Sequence, residues 1–237
     1  LTISNESRAR VKGIFEPIAL AMGRAGLTPD ALTLIGFGIT VIGAILLSQQ
    51  LWLAGGIVVF VGGVFDMFDG TLARATGKVS PLGAFMDSVF DRWGEAAVYI
   101  GLIAGLGASG SAMAPVLAAA AMGGAFMVSY ARAKAEGLGF SPGTGMAAVG
   151  VMPREVRLVI LTLGLVGGGI AGTTTTVAAE GILGLGGPTI LLGILVISVS
   201  LAVVTIGATI TVIQRIVHVR RQAKHQSISD ATPPIGG

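Results

Sequence analysis

The stretch DMFDGTLARATGKVSPLGAFMDSVFD, residues 66–91, decides how this chain is read. It joins two apolar segments that each carry a pair of aspartates, Asp66 and Asp69 before a short polar turn at residues 76–81 and Asp87 and Asp91 after it. Spacings of three and four residues put each pair on one face of a helix. Two antiparallel helices joined by so short a turn bring Asp66 about level with Asp91, and Asp69 with Asp87. At ~1.5 Å of rise per residue, Asp66 lies ~12 Å back from Arg74 and Asp91 ~12 Å on from Gly83. The carboxylates therefore converge at one depth, below the helix ends.

The surroundings of this stretch are apolar enough to need lipid. Of 237 residues, 53% are hydrophobic and 11% charged, with a mean hydropathy of +0.86, whereas soluble domains carry roughly 25% charged residues. A chain of this length cannot hide that much apolar surface within itself. Polar or Gly/Pro-rich breaks leave six stretches, 32–49, 52–75, 82–106, 113–135, 156–173 and 188–219, each long enough to cross ~30 Å of hydrocarbon as helix. Residues 6–26 are too charged to insert. Arg8, Arg10, Lys12 and Arg24 set against Ile14, Phe15, Ile18 and Leu20 read as an amphipathic helix on the membrane surface. The expected fold is an all-α integral membrane protein of about six transmembrane helices with an N-terminal amphipathic interfacial helix. It divides into a juxtamembrane helix at 1–26, a six-helix transmembrane domain at 27–221 and a polar tail at 222–237, expected to be disordered. Residues 173–176, a run of threonines, read as an external loop. The 38 glycines, among them Gly36, Gly101 and Gly105, suit close helix packing in lipid.

Charge gives the orientation. All fifteen Lys and Arg fall before the first stretch or at the alternate ends that share its side, while the opposite loops near 49–50, 107–112 and 174–187 carry only Glu180. By the positive-inside rule the basic side is cytoplasmic, in a multi-pass protein of the cell membrane. The net charge of +3 is thus a ring facing lipid headgroups and phosphates, and not a nucleic-acid footprint. The absence of cysteine excludes disulfides, zinc–thiolate sites and thiol nucleophiles.

An intramembrane acid costs at least ~2.5 to 3.5 kcal/mol, so it marks function by default. Arg74 and Arg92 cannot neutralise four carboxylates, but two divalent cations can. Oxygen-only ligands suit Mg²⁺, Mn²⁺ or Ca²⁺ rather than zinc. Two ions ~3.5 to 4 Å apart form the clamp used in phosphoryl transfer. Protonated acids serving helix association are the plainer alternative, although packing does not require four acids at one level.

Asp66, Asp69, Gly70, Ala73, Arg74, Gly83, Asp87 and Asp91 complete the pattern D-x2-D-G-x2-A-R-x8-G-x3-D-x3-D, which resembles the CDP-alcohol phosphotransferases at every position. The resemblance implies transfer of a phosphatidyl-type group from CDP-diacylglycerol to an alcohol, with release of CMP, at a site open to the cytoplasm. It implies Asp66, Asp69, Asp87 and Asp91 as ligands of two Mg²⁺ ions, with Mn²⁺ as a substitute, and Asp91 also as general base. Asp30, Gly70, Ala73, Arg74 and Gly83 become the CDP-lipid contacts; Asp30 stands where the family often has Asn. Membrane lipids and a second copy of the chain, in a homodimer, are the implied partners.

The acceptor is less sharply marked. Ser129, Arg132, Lys134, Arg154, Arg157 and Arg215 lie at or near three cytosolic helix ends and form a candidate anion site. They resemble the corresponding stretches of phosphatidylinositol phosphate synthases, which implies inositol 1-phosphate as acceptor. Three alternatives stay open: a glycerol phosphate acceptor as in phosphatidylglycerophosphate synthases, an archaeal ether-lipid donor, or basic residues that merely obey the positive-inside rule. Outside the family, an intramembrane prenyltransferase also handles pyrophosphate with aspartates, but lacks the framework of Gly70, Ala73, Arg74 and Gly83. A cation-coupled transporter can keep acids in its spans, but repeated halves are not evident here.

Overall fold

Two hydroxyl-then-proline steps start the helices that organise the molecule. Thr28 accepts the Ala31 N–H at 3.2 Å and Pro29 opens α2 (Pro29–Ser48); Ser80 accepts the Gly83 N–H at 3.0 Å and Pro81 opens α4 (Pro81–Ala108). Each pair satisfies an orphan helix donor and places proline where no N–H is needed. The computed structural model describes residues 5–140, 145–172, 176–178 and 189–231. The remaining helices are α1 (Asn5–Arg24), α3 (Trp52–Ala75), α5 (Ala114–Gly137), α6 (Arg154–Ala171) and α7 (Leu192–Ala231), with one 3₁₀ turn at Met146–Ala148.

The second expected stretch, 52–75, coincides with α3, and the next three agree with α4, α5 and α6 to within two residues at each end. Two differences stand out. Where a disordered tail was expected from residue 222, α7 continues to Ala231; residues 220–231 contain neither glycine nor proline and are compatible with helix. Residues 232–237 lie outside the described residues. On the opposite side the chain is not purely helical, because β1 (Thr176–Ala178) pairs antiparallel with β2 (Thr189–Leu191) in the register Thr176 to Leu191. Their Thr, Val and Ile content favours extended backbone. Most of the threonine run expected as a loop, residues 173–175, lies outside the described residues.

The outward surface is that of a membrane protein. Ile42, Ile100, Leu163 and Ile206 are each more than half exposed, the reverse of what water selects. By length and composition four helices are apolar enough to cross a membrane: α2, α3, α5 and residues Leu192–Lys224 of α7. Among the described residues α4 and α6 fall outside that group, since α4 carries Asp87, Asp91, Arg92 and Glu95 and α6 opens with Arg154, Glu155 and Arg157.

The α2 helix is the post of the bundle, packed on α3 along one side and α4 along the other; α5 and α6 pack on α7, and α6 also on α3. The larger core gathers around Trp52, Tyr99, Leu102, Leu165 and Ile197. A smaller one joins α1 to α2 and α3 through Ala19, Leu32, Phe68 and Leu72, with the Phe15 and Phe68 rings 5.2 Å apart. Backbone approach sets the α2–α4 distance: a Cβ on Gly101 would collide with the Ala44 carbonyl, and one on Gly105 with that of Leu47. The small residues expected to support helix contacts therefore do so within this chain.

Gly101→Val should lower the melting temperature in detergent by the equivalent of about 1 to 3 kcal/mol, since the carbonyl it meets cannot rotate away. Gly38→Ala, with nothing within 4 Å of the added carbon, should hold or raise it. Thermal unfolding of the two variants followed by circular dichroism makes the comparison.

Candidate active site

The motif aspartates are set by α2 as much as by their own helices. Thr33 donates its hydroxyl to Asp69 Oδ2 at 2.5 Å, while the Gly70 N–H donates to Asp69 Oδ1, so both oxygens of this buried carboxylate are fixed. Three residues further along α2, a Cβ on Gly36 would stand 3.3 Å from the Asp66 backbone nitrogen; its absence lets α3 lie close at that level. Asp66, Asp69 and Asp87 each offer a carboxylate oxygen within 4.8 Å of the others. The expected convergence is therefore present for three of the four.

The fourth is held differently. One nitrogen of Arg154, Nη1, lies 2.8 Å from Asp66 Oδ2 and 2.6 Å from Asp91 Oδ1, tying α3 and α4 together from the first residue of α6. Asp91 Oδ2 faces Arg92 at 3.3 Å, and Arg92 also approaches Glu95 and donates to Ser129. One turn on, Arg157 grips Glu95: Nε and Nη2 reach Glu95 Oε1 at 3.0 and 2.8 Å, Nη2 reaches Oε2 at 3.0 Å, and Nη1 reaches the Met152 carbonyl at 3.2 Å. With its side chain 2% exposed, Arg157 is a strut beneath the acids, its guanidinium committed to protein groups.

A cavity of about 1530 Å³ opens at this layer, lined by Asp66, Asp69, Asp87, Asp91, Gly70 and Arg74 together with Ser129, Arg132, Arg154, Arg157 and Arg215. Phe15 and Glu16 of α1 close one edge. The two residue groups expected from sequence thus share one space, with exceptions. Lys134 is exposed and does not line the cavity, while Arg132 pairs with Glu136 at 3.0 Å on the exposed side of α5. Arg215 does line it, but at 4% exposure its Nε donates to the Val149 carbonyl at 3.0 Å and its Nη1 to that of Val128, pinning the α5–α6 connection to α7. In the expected CDP-lipid set, the Arg74 guanidinium lies over Gly70, while Gly83 stands near Asp30 at the paired starts of α4 and α2, outside the cavity wall along with Ala73.

A family model described as CDP-alcohol phosphatidyltransferase matches residues 26–218. The chain belongs to that family. It is accordingly a transferase. Among curated relatives, it is 33% identical to the phosphatidylinositol phosphate synthase of Cutibacterium acnes over 216 residues, covering 90% of this chain and 96% of that one. It is 37% identical to the archaetidylinositol phosphate synthase of Pyrococcus horikoshii over 154 residues, covering 65% and 77%. The fold matches crystal structures of Mycobacterium tuberculosis phosphatidylinositol phosphate synthase. The structure with CDP-DAG bound is 27% identical with a TM-score of 0.67, over 87% of this chain and 93% of that chain. The structure in complex with manganese and citrate is 26% identical with a TM-score of 0.67, over 86% and 88%.

The family's divalent metal fits the residues present. The Asp66, Asp69 and Asp87 trio is an all-carboxylate donor set whose crowded negative charge calls for a hard cation, Mg²⁺ or Mn²⁺. Thr33 and the bidentate Arg157–Glu95 pair were not assigned to the site by sequence reasoning. Thr33 offered a signal, a lone polar side chain five residues past the Thr28 cap; Glu95 offered another, four residues past Asp91 on the same helix face.

Thr33→Val keeps the shape but removes a hydrogen bond to a charged acceptor, worth ~1.5 to 3 kcal/mol. Mn²⁺ affinity measured by calorimetry should fall by about tenfold or more, with helix content unchanged. Arg157→Gln should instead act on the fold, because it leaves Glu95 with only the longer approach of Arg92; the loss expected is up to ~3 to 5 kcal/mol, read as a lower melting temperature that Arg157→Gln/Glu95→Gln partly restores.

Proposed function

We propose that this chain transfers the phosphatidyl group of CDP-diacylglycerol to a hydroxyl of inositol 1-phosphate, releasing CMP. The observation that carries the reading is a single cavity lined both by the aspartate motif and by Ser129, Arg132, Arg154 and Arg215. It is supported by relatives named for inositol phosphate products from both a bacterium and an archaeon. Their names differ in the lipid and agree in the headgroup. An ether-lipid donor is therefore a second reading, while a glycerol phosphate acceptor has no such support.

In this mechanism the acceptor hydroxyl oxygen forms a bond to the donor's lipid-side phosphorus as the pyrophosphate P–O bond breaks, and CMP departs with the electron pair. Bound to Asp66, Asp69, Asp87 and Asp91, two Mg²⁺ or Mn²⁺ ions supply Lewis-acid stabilisation of charge on the pyrophosphate. Asp91 takes the hydroxyl proton. Arg74 hydrogen-bonds the pyrophosphate, and the absent side chain of Gly70 lets the nucleotide approach the α3 backbone. Asp30 and Gly83, at the mouth between α2 and α4, receive the nucleotide's outer part, with Ala73 leaving room behind it. Ser129, Arg132, Arg154 and Arg215 hold the acceptor's phosphate; Arg157 acts from beneath through Glu95, and Lys134 contributes charge at the rim.

The membrane arrangement belongs to the same proposal. Helices α2 to α7 cross the bilayer and α1 lies on its surface, with the site open to the cytoplasm and residues 222–237 outside the membrane. Support comes from the apolar outward faces and from the placement of all fifteen basic residues on one side. The family resemblance leads us to expect a homodimer.

Purified protein supplied with Mg²⁺ and CDP-diacylglycerol should release CMP with inositol 1-phosphate and only weakly with free inositol, which leaves the basic wall uncompensated. A lost charge-assisted contact of ~1.5 to 3 kcal/mol corresponds to roughly 10- to 150-fold in acceptor use. Mass spectrometry of the lipid product decides it. Equal rates with both acceptors, or exclusive use of glycerol 3-phosphate, would falsify the acceptor assignment.

A further inference from the structure

The bridge made by Arg154 occupies a position that a metal would also claim. Its Nη1 lies 2.8 Å from Asp66 Oδ2 and 2.6 Å from Asp91 Oδ1. An Mg²⁺ ion shared by these oxygens would stand ~2.0 to 2.1 Å from each. Guanidinium and ion cannot hold that place together. By contrast, Asp66, Asp69 and Asp87 approach within 4.8 Å with no basic group bonded to Asp69 or Asp87 among the described ion pairs. The two halves of the acidic layer are therefore unequal, one open to an ion and the other already filled by a cation of the chain.

The way out for Arg154 is also on the page. Its side chain is one-third exposed and lines the same cavity as Ser129, Arg132 and Arg215. Pro153 and the start of α6 fix its backbone, and among the described residues no backbone carbonyl holds the guanidinium. Arg157 and Arg215 differ in this respect, each tied to carbonyl oxygens as well. Arg92 also meets Asp91 but is held as well by Glu95 and Ser129, whereas among the described residues Arg154 is bonded to Asp66 and Asp91 alone, so a phosphate and those acids compete for it.

We propose that Arg154 is a built-in cation that keeps the Asp66–Asp91 position closed to a second divalent ion until a phosphate-bearing substrate draws its guanidinium away. Binding of the second metal and of the phosphate are then positively coupled, each tightening the other by the same factor. Arg154 is thus a positioning residue toward the metal and a contact residue toward the phosphate. The inference rests on the two-metal reading with a phosphorylated acceptor given above.

The test is a manganese titration of the full chain in detergent, without CDP-lipid, following free Mn²⁺ by electron paramagnetic resonance. The wild type should bind one ion tightly and a second weakly. Arg154→Ala, and Arg154→Met as a variant that keeps the apolar stem, should each tighten the weak ion by about tenfold or more. Inositol 1-phosphate should tighten the weak ion in the wild type and have no further effect in either variant. An unchanged second ion in both folded variants, or tightening by inositol 1-phosphate that persists in them, overturns the proposal. If glycerol 3-phosphate alone produces the tightening and the variants abolish it, the role of Arg154 stands and the acceptor assignment falls.

Discussion

Negative charge crowded where water is scarce is the constraint on which the rest of this structure depends. Three carboxylates within 4.8 Å of one another, with a fourth drawn in by Arg154, repel more strongly in a partly buried site than they would in water. The surrounding helices can be understood as answers to that repulsion. The α2 helix comes close enough at Gly36 to deliver the Thr33 hydroxyl to Asp69. The α4 helix supplies Arg92, and the first turn of α6 supplies Arg154 to the acids and Arg157 to Glu95 beneath them.

This arrangement divides the arginines by depth. Arg157 is almost wholly buried and committed to Glu95 and the Met152 carbonyl, so it holds helices together, and Arg215, similarly buried, is anchored on two carbonyls; both still border the cavity. Arg154, Arg132 and Arg74 are more open and border the cavity. A basic residue at a cytosolic helix end can therefore be a strut or a ligand, and its partners decide which. Asp91 shows the same dependence, since its two oxygens face different arginines from different helices.

Much of this was legible beforehand, for identifiable reasons. The limits of α3 follow from an apolar run bounded by a double glutamine and a polar turn, and the gathering of Asp66, Asp69 and Asp87 follows from helix periodicity and a tight connection. The destinations of the arginine side chains were not legible. Positive-inside statistics place Arg154, Arg157 and Arg215 on one side of the membrane, but which carbonyl or carboxylate each meets depends on helices far away in sequence, such as Arg157 on Glu95 and Arg215 on Val128. Three-residue strands such as β1 and β2 carry no periodic signal in the sequence, and the polar end of α7 has the composition of a disordered tail while remaining compatible with helix.

The polar beginnings of α4 and α6 bear on how the protein is made. Neither helix belongs to the set that is apolar enough to cross a membrane by composition, and the charges responsible are partners: Asp91 with Arg154, and Glu95 with Arg157. During synthesis the acids of α4 emerge first, with Arg92 of the same helix beside Asp91 and Glu95, and meet Arg154 and Arg157 only once α6 has been translated. The α5 helix, which lies between them in sequence and is apolar enough to insert alone, sets the length of that delay. The polar ends of α4 and α6 thus complete their pairing late in translation, each helix bringing charges that the other one answers.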